Sequence, residues 1–290
     1  MAITALSPDP VEIACAQLAP VLGDLHGNRA QAATAIRDAA QAGARLVVLP
    51  ELCTTGYALA DESQARELGE TADGEAVTEW SALARECDIT IVGGFLELDR
   101  DGAPHNSAAV VDPGGLRTVY RKTHLWDREP LIFRGGAEPP PVIDTPVGRV
   151  GVAICYDAFF PEVMRGLALA GAEVIAVPMN SPLDGPATEP LALEVVLALA
   201  AAQVNRVFVA QADRCGTERG IEWAQATVIC DPGGRLLAAP APGTGLRRAT
   251  CDLILARDKS LGARNDVFAD RRTDLYRLHP EPSPTKEKVN

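Results

Sequence analysis

Gly148-Arg149-Val150-Gly151-Val152-Ala153-Ile154-Cys155-Tyr156-Asp157-Ala158-Phe159-Phe160-Pro161-Glu162 is the stretch on which the fold turns. Val150 to Ile154 is a run of small and β-branched apolar residues, the pattern of a strand covered on both faces. From Phe160 to Ala170 the apolar spacing becomes helical. Cys155 therefore falls on a strand-to-helix turn, the arrangement of an α/β fold. There the N–H groups of the next turn face the sulfur, and an anion at a helix start is favoured. A buried structural cysteine would look the same in isolation.

Working outward, the N-terminal side repeats the alternation. Val11 to Gln17 reads as a strand, and Asp24 or Asn28 caps a helix to about Gln41 with Gly43 as its stop. Ala44 to Leu49 is a second apolar strand, ending in Pro50-Glu51. Residues 52–74 form a loop with room for a short helix, and Glu75 to Cys87 a helix. Asp88 to Leu98 is a strand containing Gly93-Gly94. Asn106 to Val111 and Leu116 to Tyr120 pair across Asp112-Pro113-Gly114-Gly115. Arg121 to Pro141 is irregular and rich in charge, Gly and Pro, and segments of that length inside a compact domain are usually functional.

Val142 to Asp144 is a further short strand. On the C-terminal side Glu173 to Val177 is a strand ending at Pro178-Met179-Asn180. A loop with Pro182, Gly185, Pro186 and Pro190 leads to an apolar helix ending near Val204. Val207 to Ala212, Thr227 to Ile229, Leu236 to Ala238 and Arg248 to Asp252 are later strands. Two echoes tie the halves together. Ala42-Gly43-Ala44-Arg45-Leu46-Val47-Val48-Leu49-Pro50 resembles Ala170-Gly171-Ala172-Glu173-Val174-Ile175-Ala176-Val177-Pro178, and the Asp-Pro-Gly-Gly turn of 112–115 recurs at 231–234. The expected architecture is two related halves, each a helix-covered sheet, packed sheet to sheet.

Composition narrows the partners. The 290 residues carry a net charge of -12 and no basic block, which argues against nucleic acid and anionic membrane surfaces. The apolar run near 191–204 is broken by Glu194 and Gln203, so it reads as a buried helix rather than a membrane span. Met1 to Pro10 has no secretory pattern. Seven cysteines in an odd, unpaired spacing fit a reducing cytoplasm, and four scattered histidines predict no metal.

Cysteine hydrolysis needs a nucleophile, a base and an oxyanion donor. Glu51 stands at the carboxyl end of a buried strand, where α/β sheets place their sites and where desolvation raises a carboxyl pKa. Lys122 follows another strand, in Tyr120-Arg121-Lys122-Thr123-His124-Leu125. Alone, Glu51 would pass for a capping acid and Lys122 for a surface lysine. Together, Pro-Glu-Leu-x-x-x-Gly-Tyr at 50–57, Tyr-Arg-Lys-x-His-Leu at 120–125 and Gly-Val-x-Ile-Cys-Tyr-Asp at 151–157 occur in the order Glu, Lys, Cys. This resembles the nitrilase, or carbon–nitrogen hydrolase, superfamily. The likeness runs from about Val11 to Asp270 and takes in Asp213-Arg214-x-Gly-Thr-Glu-Arg-Gly and Asp231-Pro-Gly-Gly.

The resemblance implies a single domain over 1–290, with its core at 11–270 and flexible or partner-packed tails at 1–10 and 280–290. It implies an α-β-β-α sandwich that dimerises, or assembles further, through αββααββα layers. It makes Cys155 the nucleophile, Glu51 the general base and Lys122 the oxyanion donor, helped by the Tyr156 backbone N–H. Glu129 matches a second family glutamate that orients Lys122 or water. Tyr57, Trp126, Tyr156, Asn180 and Ser181 would touch substrate, and no cofactor is implied.

Details near Cys155 bear on the branch. Ala158-Phe159-Phe160 offers no basic clamp for a substrate carboxylate, unlike relatives acting on N-carbamoyl amino acids. Cys-Tyr-Asp stands where true nitrilases tend to read Cys-Trp-Glu. Ser181 stands where amidase-type relatives tend to carry an aromatic, which widens or repolarises the pocket. A small neutral carboxamide, cleaved to acid and ammonia through a thioester, is the expected substrate. A nitrilase or carbamoyl-amide hydrolase on the same triad, and a non-enzymatic scaffold, remain as alternatives.

Overall fold

Ala42–Pro50 and Ala170–Pro178 occupy the same position in two six-stranded sheets. The computed structural model describes residues 10–183 and 191–276. The first sheet is built from β1 (Val11–Gln17), β2 (Ala44–Val48), β3 (Thr90–Leu98), β4 (Pro104–Asp112) and β5 (Gly115–Arg121), with the late strand β14 (Gly245–Cys251) beside β1. The second runs β6 (Val142–Thr145), β7 (Gly148–Val152), β8 (Val174–Pro178), β9 (Phe208–Ala212), β12 (Val228–Cys230) and β13 (Leu236–Ala238). From β14 to β5 the pairings are antiparallel, parallel, parallel, antiparallel, antiparallel. From β6 to β13 they are the same. The echoed Asp-Pro-Gly-Gly turns join β4 to β5 and β12 to β13, so both repeats fall on equivalent elements.

The sheets face each other, β1 against β9 and β3 against β8. Helices cover the outer faces, giving the expected α-β-β-α layers. On the first sheet lie α1 (Leu25–Gln41) and α3 (Glu75–Cys87), with the short α2 (Glu62–Leu68) inserted after β2. Asp24 caps α1 by accepting from the Gly27 N–H at 3.0 Å. Ala76, Val77, Trp80, Leu83 and Ala84 form the buried stripe of α3. On the second sheet lie α4 (Pro161–Leu169) and α5 (Leu193–Asn205). The short strands β10 (Thr217–Glu218) and β11 (Ile221–Glu222) form a separate hairpin.

Strand β3 shows how period-two alternation places the site. A Cβ on Gly93 would lie 2.6 Å from the Trp80 ring, so that residue makes room for α3. A Cβ on its neighbour Gly94 would lie 2.5 Å from Glu51 Cα and 2.6 Å from the Pro50 carbonyl oxygen. Only glycine lets the Glu51 backbone cross β3 there, held by Cys53 N–H donating to Gly94 O at 3.0 Å and Gly94 N–H to Pro50 O at 3.2 Å.

By its contacts the chain divides at Asp258 into a body and a short C-terminal unit from Lys259. In the C-terminal unit β15 (Ser260–Gly262) pairs with β16 (Asn265–Asp266). The expectations for the tails at 1–9 and 280–290, and for Gly185, Pro186 and Pro190, lie outside the described residues. Among the described residues no helix is long and apolar enough to cross a membrane.

Candidate active site

The candidate residues leave the carboxyl ends of strands from both sheets and meet at one seam. Glu51 follows β2, Lys122 follows β5, Cys155 follows β7 and Asn180 follows β8. The seam is closed by the Glu51 N–H, which donates to Met179 O at 3.4 Å, and by Asn180 Nδ2, which donates to the Glu51 carbonyl at 2.7 Å. Leu52 and Cys155 both take left-handed backbone, φ 44° and 45°. Such conformations cost about 1–3 kcal/mol for a non-glycine residue and persist where surrounding structure enforces them.

Lys122 is fully buried, and its Nζ donates to Glu51 Oε1 at 2.7 Å and to Glu129 Oε1 and Oε2 at 3.0 and 2.8 Å. Burial works against its charge, yet the Glu129 and Glu51 carboxylates outweigh that and hold it well above the ordinary lysine range. Glu129 opens a short 3-10 turn, where the Trp126 N–H also donates to Oε2 at 2.7 Å. Glu51 is pushed up to about 6, first by burial and then by Glu129, with Lys122 pulling the other way. Its two oxygens differ. Oε1 accepts from Lys122 and from Asn106 Nδ2, the latter also at 2.7 Å, whereas Oε2 is buried with no partner among the described residues.

Asn106, near the start of β4, is a residue that the sequence motifs do not reveal. Its amide donates to Glu51 Oε1 and, at 2.9 Å, to Glu129 Oε1, bridging the two acids. The available signal was His105-Asn106-Ser107, three polar residues in a strand buried along its whole length.

Cys155 departs from the expectation of a thiolate at a helix start. It opens a 3-10 turn, Cys155–Phe159, and α4 begins only at Pro161. The helix N-terminus is therefore not at the sulfur. Burial, followed by the negative charge of Glu51, holds the thiol well above its ordinary pKa. Its Sγ lies 3.8 Å from the Asn180 carbonyl oxygen. Strand β7 stops at Val152 rather than Ile154 because the chain must leave the sheet to reach this turn. Asp157 fixes the turn by accepting from Ile154 N–H (3.0 Å), Tyr120 Oη (2.8 Å) and His124 N–H (3.1 Å), which binds the Cys155 turn to the Lys122 segment.

A cavity of about 370 Å³ opens at Cys155. Of the residues expected to touch substrate, Trp126, Tyr156, Asn180 and Ser181 line it, and Tyr57 does not. Tyr57 instead packs edge-on to Trp223, ring centroids 5.8 Å apart. Its backbone is held by Glu218, whose Oε1 accepts from the Tyr57 and Ala58 N–H groups at 2.8 and 2.5 Å. Glu218 is in turn paired with Arg214 at 2.8 Å, both buried. Among the described residues no cluster of His, Cys, Asp or Glu could hold a metal ion.

A two-halved α-β-β-α sandwich with a carboxylate, an ammonium and a thiol buried at its seam defines a class of cysteine hydrolase fold. Residues 12–259 match the family model described as carbon-nitrogen hydrolase. The chain belongs to this family, the nitrilase superfamily, in its amidase-like part, and is a hydrolase acting on carbon–nitrogen bonds. It is 38% identical over 270 residues to a protein named nitrilase from Pyrococcus abyssi, covering 92% of this chain and 99% of that one. It is 33% identical to the human deaminated glutathione amidase, over 87% of this chain and 80% of the relative. A glutamate-to-glutamine variant of an amidase from Nesterenkonia sp. AN1, with the acetamide moiety of fluoroacetamide added covalently at its active-site cysteine, superposes with a TM-score of 0.76 at 25% identity. That superposition covers 92% of this chain and 96% of the amidase.

Proposed function

We propose that this protein is a cysteine amidase that cleaves a small neutral carboxamide to a carboxylic acid and ammonia. The observation that carries the reading is Glu51, whose Oε1 is held by two donors while Oε2 stands without a partner among the described residues. A carboxylate so held has one oxygen available for a proton, and a group poised near neutrality transfers protons in both directions. Glu51 Oε2 takes the Cys155 proton as sulfur bonds the amide carbon. Lys122 and the Tyr156 N–H donate to the developing oxyanion. Lys122 contacts both oxygens of Glu129, so it can turn one N–H to the oxyanion while the other contact keeps it in place. The C–N bond breaks, and ammonia leaves with the proton returned by Glu51. Glu51 then deprotonates a water that hydrolyses the thioester.

The apolar cavity lining supports a neutral substrate, and the covalent adduct at the cysteine of the amidase relative supports a cysteine as the nucleophile. Nitrile hydrolysis on the same residues is the second reading, favoured by the name of the Pyrococcus relative. Ammonia release measured over matched amides, nitriles and ureido compounds decides: amides should be fastest. Turnover of nitriles alone, or carbon dioxide released with the ammonia, would replace the proposal.

The same reading carries a dimer paired through the outer helical layer, supported by Leu169 on α4 and Val196 and Val204 on α5, all exposed. Sedimentation should return a species heavier than the 30.6 kDa chain. Seven free thiols support a reducing, cytoplasmic setting.

A further inference from the structure

Asp157 is a fully buried acid two residues beyond Cys155, and it stands behind the cavity, whose lining includes its neighbour Tyr156 but not Asp157 itself. It gathers five donors. Oδ1 accepts from Thr123 Oγ1 at 3.1 Å, from the His124 N–H at 3.1 Å and from His124 Nδ1 at 2.8 Å. Oδ2 accepts from Tyr120 Oη at 2.8 Å and from the Ile154 N–H at 3.0 Å. A carboxylate offers about four lone-pair sites, so both oxygens are saturated.

The donors come from two segments, one on each sheet. Tyr120, Thr123 and His124 flank Lys122 at the end of β5, and the Lys122 ammonium turns away from them to Glu51 and Glu129. Ile154 leads from β7 into the turn that carries Cys155 and Tyr156, and the Asp157 N–H donates back to the Ile154 carbonyl at 2.9 Å. Asp157 thus closes that turn with both its backbone and its side chain. Inside the closure lies Cys155, whose left-handed φ of 45° needs such enforcement. The His124 ring stacks on Phe160 with 3.8 Å between centroids, fastening the far end of the turn to the same segment.

An oxyanion is stabilised only by donors already aimed at it, and a misplacement of about 1 Å can cost about a hundredfold in rate. In the proposed reaction these donors are Lys122 Nζ and the Tyr156 N–H, which belong to different sheets. We infer that Asp157 is a positioning residue that holds these two donors in register across the seam between the sheets. The inference rests on the amidase reading for its reaction and adds to it a group outside the cavity lining.

Asp157→Asn keeps the shape and turns one acceptor into a donor, which must face either the Ile154 N–H or the His124 N–H. Two probes of Cys155 separate the sulfur from the oxyanion donors. Methyl methanethiosulfonate transfers its methylthio group to the sulfur and releases methanesulfinate, with no oxyanion formed. Butanal adds reversibly to the same sulfur, and its carbonyl oxygen takes the oxyanion position. The butanal concentration that halves the rate of Cys155 thiolation gives its affinity with no turnover needed. Asp157→Asn should weaken butanal about a hundredfold and lower kcat for butanamide by a similar factor, with KM within about twofold and thiolation within about threefold. Tyr120→Phe keeps the ring and removes one donor. It should weaken butanal about tenfold with thiolation unchanged, and add nothing in the Asp157→Asn background. Should Asp157→Asn not fold, Tyr120→Phe alone decides by the same comparison. Equal losses of thiolation and butanal affinity, or a lower Tm with butanal affinity kept, would overturn the inference, as would a wild type that butanal does not protect. A wild type that binds butanal in the predicted way but hydrolyses no amide would count against the amidase reading alone.

Discussion

Replacing Lys122 by Met keeps the side chain's length and removes three hydrogen bonds, to Glu51 Oε1 at 2.7 Å and to Glu129 at 3.0 and 2.8 Å. Two buried carboxylates, bridged by Asn106, are then left without their cation. Breaking a buried pair from one side costs about 3–5 kcal/mol. The cost must depend on pH. In the wild type Glu51 is already raised from 4.5 to about 6 by burial, so the folded state holds its proton more tightly than the unfolded chain. Stability from this group is therefore present at acid pH and lost as pH rises from 4.5 through about 6. Without Lys122, burial and Glu129 still push upward and the main opposing influence is gone. Glu51 then keeps its proton to higher pH, and the loss extends across neutrality, at up to about 1.4 kcal/mol per pH unit for one proton. Urea unfolding of both proteins near pH 5 and near pH 8 reads this directly, and the deficit of Lys122→Met should be larger at about pH 8. A variant within about 0.5 kcal/mol of wild type at both values would refute the buried ion triad. So would a deficit that grows toward acid.

The pH–rate profile of kcat/KM should rise through about 6, because Glu51 must be ionised to accept the thiol proton and burial sets its pKa there; a flat profile between 5 and 7 would remove Glu51 as base. Asn106→Leu deletes a donor that lowers the Glu51 pKa, so the acid limb should move to higher pH while kcat falls about tenfold, consistent with a lost bond to a charged group of ~1.5 kcal/mol. A fall in Tm with no movement of the limb would reduce Asn106 to packing. Arg214→Met leaves Glu218 buried and unpaired beneath Tyr57 and should cost about 3–5 kcal/mol in denaturant unfolding, most of it recovered when Glu218→Gln is added. An additive double variant would contradict that coupling.

Much of this was legible in the chain because apolar strands and turn residues act locally. The echoed strand and Asp-Pro-Gly-Gly turn fell on equivalent positions of the two sheets, and Glu75 to Cys87 is a helix at the expected limits. The Glu, Lys and Cys motifs converge because each sits where a buried strand ends. What was hidden depends on distant partners. Strand β14 was expected at Arg248 to Asp252, but its start at Gly245 and its place beside β1, more than two hundred residues away, come from pairing that no local pattern shows. Asn106 is one polar residue in a strand, and its value lies in two acids that only folding brings to it. The distance from Cys155 to α4 was hidden too, since the turn at Cys155 separates it from α4 by a full 3-10 segment.

The central claim is that Cys155 carries the acyl group. Intact-mass measurement of protein quenched during turnover of a simple amide, with peptide mapping, tests it most directly. One acyl adduct, a thioester, is expected on Cys155 of the wild type, absent from Cys155→Ala, which should have no measurable turnover. Steady amide hydrolysis by Cys155→Ala, or an adduct mapped to Cys53 or Cys215, would contradict it.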